Sequence, residues 1–181
     1  MCMLLLQATF LTSIAQNTNG MWREISDLKS VYLGERSSLP VSYRAYHLDL
    51  QAMISVLNTA IDENLPGAFI NGPVISLPMP NGTFSRFYVA YTSVMSRELA
   101  DQFPTIRTFI AKGIDDPYTI ARLDYTQWGF HSMVMSPNGW VIIDPASLNN
   151  TNNYICFNRS ASLPTQDFVC EVQGKSGIKK Q

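Results

Sequence analysis

Apolar and polar residues alternate over short runs broken by Gly, Pro and Asn along most of the chain, which is the pattern of strands joined by tight turns. Val41 to Leu50, rich in aromatics, reads as one such strand. Asp49 then caps a helix over 50–60, where Ala52, Met53, Val56, Leu57 and Ala60 recur at three-and-four spacing and share one apolar face. Asn64 to Gly67, with Pro66, is a break. Pro73 to Pro80 and Thr83 to Tyr91 flank Asn81-Gly82, a pair suited to a two-residue hairpin turn because both positions accept positive φ. Pro78 and Pro80 cannot donate to a ladder, so the first arm is expected at a sheet edge. Ser96 caps a short helix, Arg97 to Phe103, that Pro104 ends. Thr105 to Ala111, Tyr118 to Tyr125, Phe130 to Ser136, Trp140 to Ile143 and Asn153 to Asn158 read as further strands. Lys112 to Pro117 is a turn between them, and Pro137-Asn138-Gly139 makes a second hairpin.

Together these elements predict an α+β domain over residues 40–158: an antiparallel sheet of about seven strands, with one main helix and one short helix packed on one face. Residues 16–39 form a lead-in with Trp22, Tyr32 and Leu33 as anchors, and 159–181 read as a linker that carries a cysteine segment.

Composition sharpens this picture at the ends of the chain. Residues 3–15 are apolar and uncharged, too short to span a bilayer with ~20 residues, and close on the small-x-small triplet Ser13-Ile14-Ala15. Residues 1–15 are therefore expected to be a signal peptide, although no Lys or Arg precedes the apolar run, and the protein is expected to be secreted or held in the cell envelope. A buried amino-terminal helix is the alternative. Thirteen basic residues face fourteen acidic ones in 181, so no electrostatic excess drives binding to nucleic acid or anionic lipid. Neither nucleic acid nor a membrane span is expected among its partners.

The inventory of catalytic groups is thin. No HExxH helix, P-loop, GxGxxG turn or GxSxG elbow occurs. His47 reads as a partly buried strand residue and His131 as a hydrogen-bonded sheet histidine, each without a second His or Cys at metal-ligand spacing. Asp115-Asp116-Pro117 reads as a solvated turn rather than a cation site, and Asp144 before Pro145 as a strand end. Asn81-Gly82-Thr83, Asn149-Asn150-Thr151 and Asn158-Arg159-Ser160 match the glycosylation triplet, which counts only in a host that uses it.

Cys2 would leave with the signal, so Cys156 and Cys170 remain; outside the cytosol they can pair, or stand as one buried and one reactive thiol. Cys170 sits in Asp167-Phe168-Val169-Cys170-Glu171-Val172, beyond the expected domain. A thiolate on such a segment can bind Zn²⁺ at ~2.3 Å and take the position a catalytic zinc keeps for water. Hydrolysis then lacks its nucleophile.

Several segments resemble one family. Tyr43-Arg44-Ala45-Tyr46-His47-Leu48-Asp49, Ile75 to Gly82 and Ser93 to Leu99 look like the propeptide of reprolysin-like zinc metallopeptidases, in the form found in secreted bacterial proteins. So do Phe103 to Phe109, Lys112-Gly113-Ile114-Asp115-Asp116-Pro117, Ala121 to Asp124, Gly129 to Val134 and Ile143-Asp144-Pro145. The likeness covers about residues 40–172 in order and spacing, and its motifs are turn and strand features rather than catalytic ones.

The resemblance implies a prodomain that precedes a zinc protease domain with an HExxH-type motif. It places Cys170 as the inhibitory ligand to that protease's zinc, in cis or in trans. It also implies no catalytic residue and no cofactor in this chain, since the zinc belongs to a protease domain that would begin where the chain stops at Gln181. The expected role is to assist folding of the protease and to hold it latent. The surface facing the protease should be apolar or aromatic, with Tyr88, Tyr91 and Trp140 as candidates. The rival expectation is a stand-alone secreted binding module held by a Cys156–Cys170 disulfide. An independent hydrolase would need a nucleophile, base and orienter that two distant histidines do not supply.

Overall fold

Alternation decides which side of each strand faces inward, and the strands then decide the molecule. The computed structural model describes residues 20–27, 29, 31, 38–148 and 150–164. Its order is β1 (Trp22–Ile25), β2 (Ser38–Pro40), β3 (Arg44–Leu48), α1 (Leu50–Leu57), β4 (Ile61–Asp62), β5 (Val74–Pro78) and β6 (Phe84–Thr92). There follow α2 (Arg97–Gln102), β7 (Arg107–Gly113), β8 (Ile120–Thr126), β9 (Gly129–Ser136), β10 (Gly139–Pro145), β11 (Asn153–Asn158) and β12 (Ser162–Pro164).

This is a sheet-rich α+β fold, as expected, but the strand number is a correction. Ten strands form one sheet in the order β1-β3-β11-β10-β9-β8-β7-β6-β4, with β5 also on β6, and β2 and β12 form a separate two-stranded ribbon. The unexpected strands β1, β2, β4 and β12 span two to four residues each, too short for a period to register. Nor is the sheet wholly antiparallel, because β4 runs parallel to β6. Strands β1 and β12 also lie outside the 40–158 span in which the sheet was expected.

The first hairpin keeps its place but not its loop. Met79 N donates to Thr83 O and Gly82 N to Met79 O, so the loop is the three residues Pro80, Asn81 and Gly82. Pro80 is preset for the first turn position and Gly82, at φ +86, takes the left-handed place that closes a three-residue loop. As expected, β5 is an edge, since among the described residues it pairs with β6 alone.

Helix α1 begins where the sequence places it: the Asp49 carboxylate accepts from Ala52 N at 3.0 Å. Its buried residues Met53 and Leu57 enter the main core with Trp22, Tyr46, Ile75, Leu77, Phe87, Phe109, Phe130 and Tyr154. Helix α2 has its expected cap, Ser96 accepting from Leu99 N, but contributes no residue to the core clusters. Leu99 and Phe103 are exposed, so only α1 joins the core.

The sheet curls until side chains from β3 and β11 reach the free end of β5. Arg44 Nε donates to Pro80 O at 3.2 Å, the Cys156 thiol to Pro78 O at 3.2 Å, and the Tyr46 and Phe84 rings meet edge to face at 5.9 Å. The inner surface of this curl holds the main core, and a smaller buried cluster of Val31, Ala45, Ala146, Ile155 and Phe157 lies on the outer surface at β3 and β11. That outer surface, on the other side of the same strands, is where the chemistry collects.

Candidate functional site

Period-two alternation sends Ala121, Leu123, Tyr125, Phe130, Val134 and Ile143 inward. It leaves Ile120, Arg122, Asp124, His131, Met133, Met135, Trp140, Ile142 and Asp144 on the outer face. The ladder registers arrange these in cross-strand rows. One row is Lys112, Ile120, Met135 and Trp140. The next is Arg122, Met133, Ile142 and Phe157. A third contains Asp124 opposite His131.

A groove of about 710 Å³ opens over the second and third rows, and Arg159 and Ser162 line it as well. Arg159 lies 4.5 Å from the centroid of the Trp140 ring, a cation held over an aromatic face. Trp140, one of the three aromatic candidates, and Ile120 are exposed, whereas Tyr91 packs edge to face on Phe109 and Tyr88 is half-buried.

His131 Nδ1 stands 3.1 Å from Asp124 Oδ1, so the histidine is a hydrogen-bonded sheet residue, as expected. Its carboxylate partner was missed in the sequence, yet the signal was present. Thr126 pairs with Gly129, so Gln127-Trp128 is a two-residue loop and opposite residues follow by counting back from it. An Asp–His pair can hold a proton, but the adjacent hydroxyl, on Ser132, is buried among inward-facing positions. The pair therefore positions charge at the groove with no nucleophile from its own neighbour.

The other candidates do structural work. Asp115 accepts from Arg86 N at 2.8 Å, from Nε at 3.0 Å and from Nη2 at 2.6 Å. The Arg86 guanidinium hydrogen-bonded to it holds the Asp115 carboxyl below its ordinary range. Asp116 accepts from Tyr118 N at 3.0 Å and from Thr119 Oγ1 at 2.7 Å, pinning the same turn. The two acids are thus bound within the turn rather than merely solvated. Asn81 sits on the exposed hairpin turn and accepts from Thr83 N and Oγ1. Asn158 is exposed, and Asn149 lies outside the described residues. His47 is half-buried on β3, opposite Arg23 and Asn153.

Cys156 is a free, buried thiol on the inner face, in the main core. Burial pushes its pKa up to about 12. Cys170, the signal peptide 1–15 and the lead-in anchors Tyr32 and Leu33 lie outside the described residues. Among the described residues, no three His, Cys, Asp or Glu side chains converge to hold a metal, and no helix is long and apolar enough to cross a membrane. Compared with protein-family models, with curated proteins and with solved structures, the chain matches none.

Proposed function

We propose that the protein is an exported prodomain that assists folding of a reprolysin-like zinc metallopeptidase and holds it latent, with Cys170 as the thiol that caps the protease's zinc. The observation that carries this reading is an exposed apolar row on the outer face, beyond the small cluster that Phe157 and Ile155 bury there. Ile120, Met135 and Trp140 form an apolar row across three strands, with Ile120 39% and Trp140 40% exposed, although the sheet has a well-filled core on its other side. Bulky apolar groups set side by side on an open sheet suit a protein partner.

The way the chain leaves the fold supports the same reading. Ser162 of β12 lines the groove on this face, and Cys170 follows Pro164 by six residues, a reach of ~20 Å when extended. Cys156 lies on the opposite face as a free thiol donating to Pro78 O, which disfavours the disulfide-held module. Zinc in this reading belongs to the protease, and this chain supplies only the sulfur.

The test mixes the purified domain with its cognate protease and compares wild type with Cys170→Ser. Loss of inhibition in the variant, with retained binding through the outer face, is the expected result. Equal inhibition by both proteins would remove the zinc cap. Mass spectrometry of the exported chain under non-reducing conditions should show Cys170 free; a Cys156–Cys170 bridge would restore the binding-module reading.

A further inference from the structure

The longer connections between strands are tied to the body of the fold to different degrees. Along 63–73, Glu63 N donates to Tyr91 O, Val89 N donates to Pro73 O, and Ala68 is buried. The Lys112 ammonium also lies 3.9 Å from the centroid of the Phe69 ring. Along 114–119, Ile114 N donates to Arg86 O and Asp115 accepts from the Arg86 guanidinium. Along 146–152, Ala146 and Ser147 are buried and Leu48 N donates to Asn152 O. Each of these is held by a group from elsewhere in the chain.

The connection from β6 to β7 is different. Among the described residues, the hydrogen bonds of 94–106 stay within that stretch or reach only neighbouring Ser93. They run from Leu99 N and Ala100 N to Ser96 O, from Phe103 N to Leu99 O, from Ile106 N to Phe103 O and from Ser93 Oγ to Met95 O. None of its described side chains is buried, and Val94, Leu99 and Phe103 are exposed. Its two ends are clamped. Thr108 Oγ1 donates to Thr92 O, Thr92 Oγ1 donates to the Glu63 carboxylate, and Arg107 donates to Asn58 Oδ1 at 3.0 Å while lying over the Tyr91 ring. Opening this stretch breaks one short helix and its cap and stops at β6 and β7, so it sits at the low end of the free energies of local unfolding. The opened chain then offers large apolar side chains on free backbone, which is what an endopeptidase needs.

We propose that residues 94–106 are a proteolytic processing site, cut at Leu99 or Phe103 by an endopeptidase that takes large apolar side chains, and that the nicked chain stays folded. Water adds across the broken C–N bond, leaving a carboxylate on one fragment and an amine on the next. No ladder is lost, because β6 and β7 still pair from Phe87–Gly113 to Thr92–Thr108 and the strands on both sides of the cut belong to one sheet.

The test treats the full chain with thermolysin, which cuts before large apolar residues, and separately with chymotrypsin, which cuts after them and holds no zinc. Neither is the cognate protease, so the result is independent of the latency reading. Cuts are mapped by mass spectrometry within residues 38–164. The first is expected before Leu99 or Phe103 with thermolysin and after Leu99 with chymotrypsin. The fragments should co-elute in gel filtration, with the circular dichroism spectrum of the intact chain. Leu99→Asp combined with Phe103→Asp should slow cutting about tenfold or more at an unchanged denaturation midpoint, since the pocket of either enzyme loses its apolar side chain and the core loses nothing. A first cut elsewhere within 38–164 would overturn the proposal, as would resistance of the native chain under conditions that digest it in urea. Fragments that separate, or a cutting rate that Gly113→Ala raises in step with its loss of global stability, would overturn it too, the latter because the opening would then be global.

Discussion

Asp115 shows how one side chain ties a turn to a neighbouring strand. Its carboxylate takes three hydrogen bonds from Arg86, and Ile114 N donates back to Arg86 O at 2.9 Å. Because the folded pKa lies below the unfolded value of ~3.9, the pair stabilises the fold above that value, and the contribution is lost as pH falls through the folded pKa. Both side chains are more than a third exposed, so the effect is screened and modest. Urea midpoints measured from pH 6 down to pH 2.5 are expected to fall less steeply for Asp115→Asn than for wild type. The sequence identified a turn here; which strand Asp115 would grip was not legible, because Arg86 is 29 positions away in the chain.

At the scale of elements, the turn after β7 explains its own glycine. A Cβ built on Gly113 would lie 2.1 Å from Asp116 O and 3.2 Å from Thr119 O, both backbone atoms, while Gly113 N donates to Thr119 O at 2.8 Å. Neither carbonyl can withdraw without breaking the turn. Gly113→Ala is therefore expected to cost about 1–3 kcal/mol, as overpacking does, read as a lower midpoint in chemical denaturation. Local signals of this kind were largely readable. The caps Asp49 and Ser96, the edge strand β5 and the strand β11 fall where the sequence puts them. The first hairpin departs from the two-residue turn expected of Asn81-Gly82, because Pro80 suits the first turn position and the loop takes in all three residues.

At the scale of the molecule, the core depends on a strand from outside the expected domain. Trp22 of β1 packs edge to face on Tyr46, Phe130 and Tyr154, at ring centroid separations of 6.2, 6.1 and 5.6 Å. Three strands thus share one side chain, and its loss opens the centre of the sheet. Trp22→Ala is expected to cost about 3–5 kcal/mol in the same denaturation assay, and a loss under about 1 kcal/mol would mean that β1 is dispensable. The same curvature that brings Trp22 onto β9 and β11 shapes the groove on the other face. Fold and candidate site are therefore two sides of one sheet.

Period and turn chemistry were enough to determine the α+β class, the main helix, most strands and the inward or outward side of each residue, because these depend on neighbours a few positions apart. Asp124 and His131 could also have been paired from the sequence, through the two-residue loop between their strands. Only the tertiary structure decided that β3 inserts beside β11, that β1 and β12 join the fold, and that Arg122, Met133, Ile142, Phe157 and Arg159 share a groove. Those contacts join residues far apart in the chain, and their register is set by burial across the whole sheet rather than by any local preference.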